Sequence, residues 1–392
     1  MELRIPLSDL DFGPEEEQAV LDVLRRRWLT MGAITQEFEK EFADFVGANN
    51  AIAVSNGTDA LHLAALALGI GPGDEVIVPA LTFVATANAV LYTNAEVHFA
   101  DIIGDENLNV SPQEIEKQIT SQTKAIFLVH YGGYPCRMPE IVEIARCHNL
   151  VIVEDAAHAP GAAIDDRSLG TWGDIGCFSF FSNKNLATGE GGMVVTNRDD
   201  LAAKVRSLRS HGMTTLTWDR YHGHAYTYDV VALGHNYRID EIRSALGLVQ
   251  LHKLAKNNAR RQVITARYRQ GIKGKEFAGV ELPFLNSTGV SSCHIFPILL
   301  PEDADRQVFM DAMRARGIQT SIHYPPIHHF SYYRKRYPGI SLPITEAVAR
   351  REVTLPLYPT LKDTDVDYVI VSSSEALTVA RSCAANPVPD SV

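Results

Sequence analysis

Ser179-Phe180-Phe181-Ser182-Asn183-Lys184-Asn185-Leu186-Ala187-Thr188-Gly189-Glu190-Gly191-Gly192 is the stretch around which the chain is organised. An apolar run, Ile175 to Phe181, ends in a polar, glycine-rich loop with one lysine at its neck. A second apolar run, Met193-Val194-Val195, follows at once. The pattern reads as strand, loop, strand, with Lys184 at a strand end. Open α/β sheets bind their ligands beyond the carboxyl ends of their strands. A lysine held in such a partly dry place loses part of its preference for charge and can attack a carbonyl as an amine, forming a Schiff base. Most lysines are solvated surface charges, so this stretch alone leaves both readings open.

Upstream, Leu150-Val151-Ile152-Val153-Glu154-Asp155-Ala156-Ala157-His158-Ala159 is an apolar strand that ends in a carboxylate, with a histidine three residues on. Pyridoxal phosphate chemistry needs a lysine for the aldehyde and a carboxylate for the ring nitrogen. Lys184 and Asp155 supply both, each at the end of its own strand.

Further towards the start, the short strand Ala51 to Ser55 leads into Asn56-Gly57-Thr58-Asp59 and then an apolar helix from Ala60 to Leu68. Free amides and the positive end of a helix favour an anion there, and Gly57 permits close approach, which suits a phosphate. An ordinary N-cap by Asn56 or Thr58 gives the same pattern. Thr82 to Leu91 reads as a helix with Phe83 in its first turn, where the ring either lies against a planar cofactor or packs in the core. Strands at 75–79, 97–101 and 125–130 join those ending near Ser55, Asp155, Phe181 and Thr196. Seven strands between residues 51 and 197, mostly separated by helices, predict a largely parallel, doubly wound sheet. The direct passage from the Lys184 loop into Met193 predicts one antiparallel neighbouring pair.

Outside this block, helices are expected over 14–27, through Phe38 to Val46, and over 201–210. Met213 to Val231 reads as a long excursion, which in a compact domain points to a functional or interface loop. Asn236-Tyr237-Arg238-Ile239-Asp240-Glu241 opens a long helix to about Gln270, long enough to bridge two domains. A strand over 292–299, a helix over 303–316, a short strand at Thr320 to His323 running into a stiff histidine-rich loop, and a helix over 363–377 follow. Disorder is expected from Asn386 to Val392.

At 392 residues the chain exceeds one core, so a large domain over 1–250 and a smaller one over 251–392 are expected. A net charge of -11 argues against nucleic acid as a partner. The least polar long stretch, Val76 to Tyr92, is broken by Pro79 and Asn88 and is too short for a bilayer. The opening residues do not read as a basic-then-apolar leader. The five cysteines lie far apart with no C-x-x-C pair, so neither a disulfide framework nor structural zinc is expected, and a reducing cytoplasm fits. His323, His328 and His329 lack helical spacing and have no carboxylate among them, so no metal is expected.

Taken together, these stretches resemble the DegT/DnrJ/EryC1/StrS family of sugar aminotransferases. The resemblance runs from about Trp28 to Leu377. It is carried by Ser55-Asn56-Gly57-Thr58, Pro79 through Asn88, Glu154 through His158, Ser179 through Gly192, and Leu233 through Leu251 with its Gly-x-Asn-Tyr-Arg core. Ser321 through His328 and Leu355-Pro356-Leu357-Tyr358-Pro359 extend it. The joint order and spacing make it specific.

The resemblance implies aminotransferase fold type I, with a mostly parallel seven-stranded sheet flanked by helices and a smaller C-terminal α+β domain. It implies pyridoxal 5'-phosphate held as an internal aldimine on Lys184, which shuttles the proton. Asp155 would pair with the ring nitrogen, His158 would bond the ring hydroxyl side, and Phe83 would stack on the ring. Gly57, Thr58 and Ser179 would hold the phosphate, and Asn236 would reach the phosphate of the other subunit, making a homodimer with shared sites. Thr30, Arg238, Tyr324 and His328 would border the substrate. The expected reaction converts a nucleotide-linked keto-deoxysugar, by general likeness a 4-keto one, to its amine with L-glutamate as donor. Relatives with histidine in place of the lysine are dehydratases; this chain keeps lysine. A free cyclic ketone such as an inosose is the alternative acceptor. A non-catalytic regulator is the alternative of another class, and the acidic chain leaves no room for a DNA-binding module.

Overall fold

The runs expected to be strands between residues 51 and 197 assemble into one seven-stranded sheet in a computed structural model that describes residues 3–215 and 227–385. The strands are β1 (Asn50–Val54), β2 (Glu75–Pro79), β3 (Glu96–Ala100), β4 (Thr123–Val129), β5 (Val151–Asp155), β6 (Ile175–Ser179) and β7 (Gly192–Thr196). Their order is β1-β7-β6-β5-β4-β2-β3. All neighbours are parallel except β7, which is antiparallel to both β6 and β1. One antiparallel pair was expected. There are two because β7 returns directly from β6, so it opposes every strand beside it.

Strand periodicity divides the core. Phe178 and Phe180 face the side covered by α2 (Ala33–Val46) and α6 (Met138–His148), while Ile175 and Cys177 face α3 (Gly57–Ala67), α4 (Ala85–Leu91) and α7 (Asp199–Leu208). Here α1 is Pro14–Arg26 and α5 is Pro112–Lys117. Phe42 of α2 sits 5.1 Å from Phe178 and 5.6 Å from Phe180, ring to ring. Burying each such ring contributes about 1.5–3 kcal/mol. The open edge of β1 is blunted by side chains. Ala53 N–H donates to Glu39 (2.9 Å), Arg209 donates to the Ala53 carbonyl (2.6 Å), and the two side chains pair at 2.6 Å, leaving little edge for another strand to join.

Three helix starts differ from the sequence expectation. α3 begins at Gly57, with Asn56 as N-cap accepting from Asp59 N–H at 2.8 Å, so Gly57 and Thr58 lie in its first turn. α4 begins at Ala85, leaving Phe83 ahead of the helix and 57% exposed rather than in its first turn. The long helix α8 (Glu241–Gly271) also starts later than expected. Asp240 caps it through Arg243 N–H at 2.9 Å, so Asn236 to Ile239 form the connection before it. Buried Glu241 accepts from the amides of Gly32, Ile34 and Thr35 (2.8, 3.1 and 2.9 Å), placing a carboxylate on the positive end of α2. Gly247 lets α8 cross close to α2, since a Cβ there would stand 2.5 Å from the Phe38 ring.

α8 runs from the sheet to a second core of Ile264, Tyr268, Phe296, Phe309, Val353 and Val366, so the expected boundary at 250/251 falls inside it. Ile5 belongs to this core: its carbonyl accepts from Gln319 and its amide donates to Gly317. β8 (Phe296–Leu299) pairs antiparallel with β9 (Glu352–Leu355). The other helices here are α9 (Arg306–Ala315), α10 (Ser331–Arg336), α11 (Pro343–Arg351) and α12 (Asp363–Ala385). β8 is shorter than expected because 292–295 lean on the sheet's loops. Thr320 to His323 adds only the bridge Ser321–Thr354 rather than a strand. Most of the Met213 to Val231 excursion and the terminal Asn386 to Val392 fall outside the described residues. No helix among the described residues is long and apolar enough to cross a membrane.

Candidate active site

Asp155 ends β5 and Ser179 ends β6, in parallel neighbours, so both point past the same sheet edge. Asp155 is 6% exposed. Thr86 Oγ1 donates to its Oδ2 at 2.7 Å, and Ala157 N–H to its Oδ1 at 3.2 Å. Burial raises this carboxyl, while those two donors and the Lys184 charge pull it back. Desolvation pushes the Lys184 amine down to about 8, against the opposing pull of Asp155. A neutral amine is therefore accessible close to physiological pH.

His158 is buried, and desolvation, with the Lys184 charge after it, holds it far below the usual imidazole range. Gly132 N–H donates to Nδ1 at 3.3 Å, so the ring proton sits on Nε2 and faces the Tyr324 hydroxyl at 3.1 Å. The Tyr324 and exposed Phe83 rings lie 6.2 Å apart. Opposite them, α3 starts against the end of β6 so closely that a Cβ on Gly57 would fall 2.8 Å from the Ser179 Cβ. That contact brings the amide end of a helix, a glycine and a hydroxyl together, the donor set an anionic phosphate needs. With a desolvated lysine, a buried carboxylate and an aromatic face open beside them, these residues fit pyridoxal phosphate.

The structure divides the other expected residues. Tyr324 joins the Lys184 group. Thr30 and Arg238 line a cavity of about 440 Å³ between α2 and α7, with Arg206 and Arg209. Exposed Asn236 bridges to Ser210 at its border. Thr58 stays in the first turn of α3. His328 is buried against Phe99, with Nε2 3.1 Å from Glu346. His328, His329 and Glu346 lie close enough to hold a metal ion, a carboxylate that a local reading of the histidine loop misses because α11 brings it. Bound through Nε2, His328 would carry its proton on a buried Nδ1 that has no acceptor among the described residues, contrary to the usual support of metal-bound histidine.

Four further residues escape the sequence reading. Thr86 is a hydroxyl inside an apolar helix, and that mismatch is its signal. His294 is a lone histidine in an apolar run, Asn185 simply follows the lysine, and His323 is weighed only as a metal ligand. His323 is desolvated to about 4, and Nδ1 lies 2.8 Å from Thr354 Oγ1.

A type I aminotransferase fold with this lysine, carboxylate and phosphate cradle defines a pyridoxal-phosphate-dependent enzyme, and the comparisons with known proteins carry this to its family. The profile of the DegT/DnrJ/EryC1/StrS aminotransferase family matches residues 11–373, and the chain belongs to that family. It is 41% identical over 374 residues to the spore coat polysaccharide biosynthesis protein SpsC of Bacillus subtilis, covering 93% of this chain and 95% of that protein. Among solved structures it superposes on Helicobacter pylori PseC, an aminotransferase involved in the biosynthesis of pseudoaminic acid. The TM-score is 0.89 and the identity 29%, over 96% of this chain and 100% of PseC. The putative sugar aminotransferase Spr1654 of Streptococcus pneumoniae in its PLP form aligns with a TM-score of 0.88 and 28% identity, over 95% and 98% of the two chains. The protein is a pyridoxal-phosphate-dependent sugar aminotransferase with the expected fold.

Proposed function

We propose that this enzyme aminates a 4-keto-deoxysugar carried on a nucleotide, with L-glutamate as donor, in the cytoplasm. In this reading the cofactor is bound covalently to Lys184, and two copies of the chain complete each other's sites. The observation that carries the chemistry is the desolvated Lys184 amine opposite buried Asp155. The acceptor class is supported by the names of the relatives, which concern polysaccharide and pseudoaminic acid biosynthesis.

When bound, pyridoxal phosphate supplies the electron sink that makes a carbon next to nitrogen acidic. The chain's own residues do the rest. Lys184 Nζ, neutral above about pH 8, takes the proton from the α-carbon of the donor and, in the second half-reaction, delivers one to the sugar carbon. Asp155 keeps a negative charge where the ring nitrogen is to stay protonated, and Thr86 holds that carboxylate in place. His158 and Tyr324 form a neutral donor pair beside the reacting centre. Ser179 and the first turn of α3 anchor the phosphate, so the ring's orientation is set before substrate arrives. Thr30, Arg238 and Asn236 would serve the partner's site.

The test supplies glutamate with dTDP- and UDP-linked 4-keto-6-deoxyhexoses, and separately an inosose, to the purified enzyme. Amination of a nucleotide-linked ketone and borohydride trapping of the cofactor on Lys184 are expected. Turnover of the inosose alone would overturn the acceptor, and turnover by the Lys184→Ala protein would overturn the role of the lysine.

A further inference from the structure

We infer that Asn185 and His294 form a positioning pair that holds the His158 imidazole beside Lys184. The inference rests on the reading of Lys184 and His158 given above.

Asn185 directly follows the lysine and is 6% exposed. Its Nδ2 donates to Asn258 Oδ1 on α8 and to the Ser292 carbonyl, both at 2.8 Å, and its Oδ1 lies 2.9 Å from His294 Nδ1. The acceptors decide the orientation. A backbone carbonyl only accepts, and the Asn258 amide nitrogen is already used on Pro160 O at 2.8 Å. Asn185 must therefore turn its nitrogen to both and leave its oxygen for His294, whose proton then sits on Nδ1.

So oriented, the buried His294 ring lies on His158, with centroids 4.3 Å apart and planes at 32°. Ser292 Oγ donates to the His158 carbonyl at 2.6 Å, closing the same segment over the histidine. Both nitrogens and one face of His158 are then taken: Nδ1 by the Gly132 amide, Nε2 by Tyr324, the face by His294. The titratable and charged groups around it are Asp155 at the end of its own strand, Lys184, His323 and Tyr324, with Arg261 of α8 near His294. Packed in this way, the imidazole stays neutral and its proton stays aimed at Tyr324. A plain strut tying the lysine loop to α8 would have the same hydrogen bonds but no influence on protonation.

The experiment uses cofactor-free protein, so it succeeds or fails independently of the sugar substrate. Lys184 is acetylated with trace acetic anhydride across pH and quantified peptide by peptide by mass spectrometry. In the natural protein its reactivity should follow one titration near pH 8. Asn185→Ala and His294→Asn should free His158 to titrate near its ordinary value of about 6.5. Below that pH the protonated ring repels the ammonium form, so Lys184 reactivity should fall less steeply. His294→Phe keeps an aromatic face on His158 and should restore the single titration. With cofactor, Asn185→Ala should lower kcat by about tenfold while the glutamate KM changes less than about twofold. An unchanged labelling curve in a folded Asn185→Ala or His294→Asn protein, whatever its melting temperature, would overturn the inference. If Asn185→Ala does not fold, His294→Asn carries the test.

Discussion

Around Lys184 burial works against charge on the titratable side chains, whereas the cavity between α2 and α7 holds ion pairs. Lys184 is lowered to about 8, His323 to about 4, His158 and His294 are held well down, and Tyr324 is pushed up. Burial leads in every case. In the cavity Arg209 pairs with Glu39 at 2.6 Å and Lys40 with Asp44 at 2.7 Å. Among the described residues Arg206 reaches Asn50 Oδ1 (3.3 Å) and the Ala51 carbonyl (3.5 Å), and Arg238 has a buried Nη1 with no hydrogen-bond partner. The first environment suits passing one proton between weakly charged groups. The second presents fixed positive charge, which suits recognising an anion. The difference follows from burial, because a charge worth little in water and much in a dry site is costly where it has no partner.

The largest effect expected on this division is that of Lys184→Ala. Removing the group proposed to take and return the carbon-bound proton should cost on the order of 10⁴-fold or more in kcat. The protein should still bind the cofactor, now removable by dialysis and not trapped by borohydride. A loss of only a few-fold would mean that the neutral centre is not where the proton moves.

Next comes Thr86→Val, which leaves Asp155 Oδ2 without its hydroxyl donor. Burial already raises this carboxyl and the Thr86 bond opposes that, so the variant should raise it further. The ionised form is then lost at a higher pH as pH falls. The acid limb of the kcat/KM profile should move upward, with about a 100-fold loss at its foot. Thr86→Ser should restore the limb. An unmoved limb would separate Thr86 from the ring-nitrogen carboxylate.

How much of this was legible follows the same division. β5 and β6 are continuous apolar runs ended by Asp155 and by the Lys184 loop, and Gly57 sits where a strand meets a helix. Each of these signals is local, so the sheet and the floor of the site could be read. β9, α10 and α11 were missed because short elements of mixed composition gain their stability from packing on β8 and the sheet. His294, Thr86 and Asn185 were missed because their partners lie far away in the chain. The cavity that Thr30 and Arg238 share with Arg206 and Arg209 was equally hidden, since a family motif records residues and not what surrounds them.

A smaller effect tests the stability cost of the neutral centre. Glu352 is buried and raised to about 8, accepting from His323 N–H at 2.8 Å and touching Thr354 Oγ1 at 2.6 Å. A carboxyl raised on folding stabilises most below its unfolded value and loses that contribution as pH rises through its folded value. The protein should therefore lose stability between pH 5 and pH 7, by about 2 kcal/mol from this group. Glu352→Gln mimics the protonated form, with an oxygen for His323 N–H and a donor for Thr354. Its unfolding free energy should be flatter over that interval in urea titrations. The same slope in both proteins would mean that Glu352 is charged in the fold, and that charge persists nearer Lys184 than the comparison allows.

The smallest effect is the one that most directly sharpens the contrast. Arg238 is desolvated and sits near the positive Arg209, which together lower its guanidinium, so it gains most from an anion placed against it. Arg238→Ala should raise the KM for the nucleotide-linked acceptor about fivefold, in the range of one exposed charge-assisted contact. The glutamate half-reaction, followed by the cofactor's absorbance, should be unaltered. Added salt should weaken acceptor binding to the natural enzyme and have less influence on the variant, because the lost contact is the charged one. The Lys184 labelling curve in the cofactor-free protein should stay single and unmoved. If instead that curve shifts with Arg238→Ala, the fixed charges of the cavity reach the neutral centre, and the two regions work as one electrostatic site.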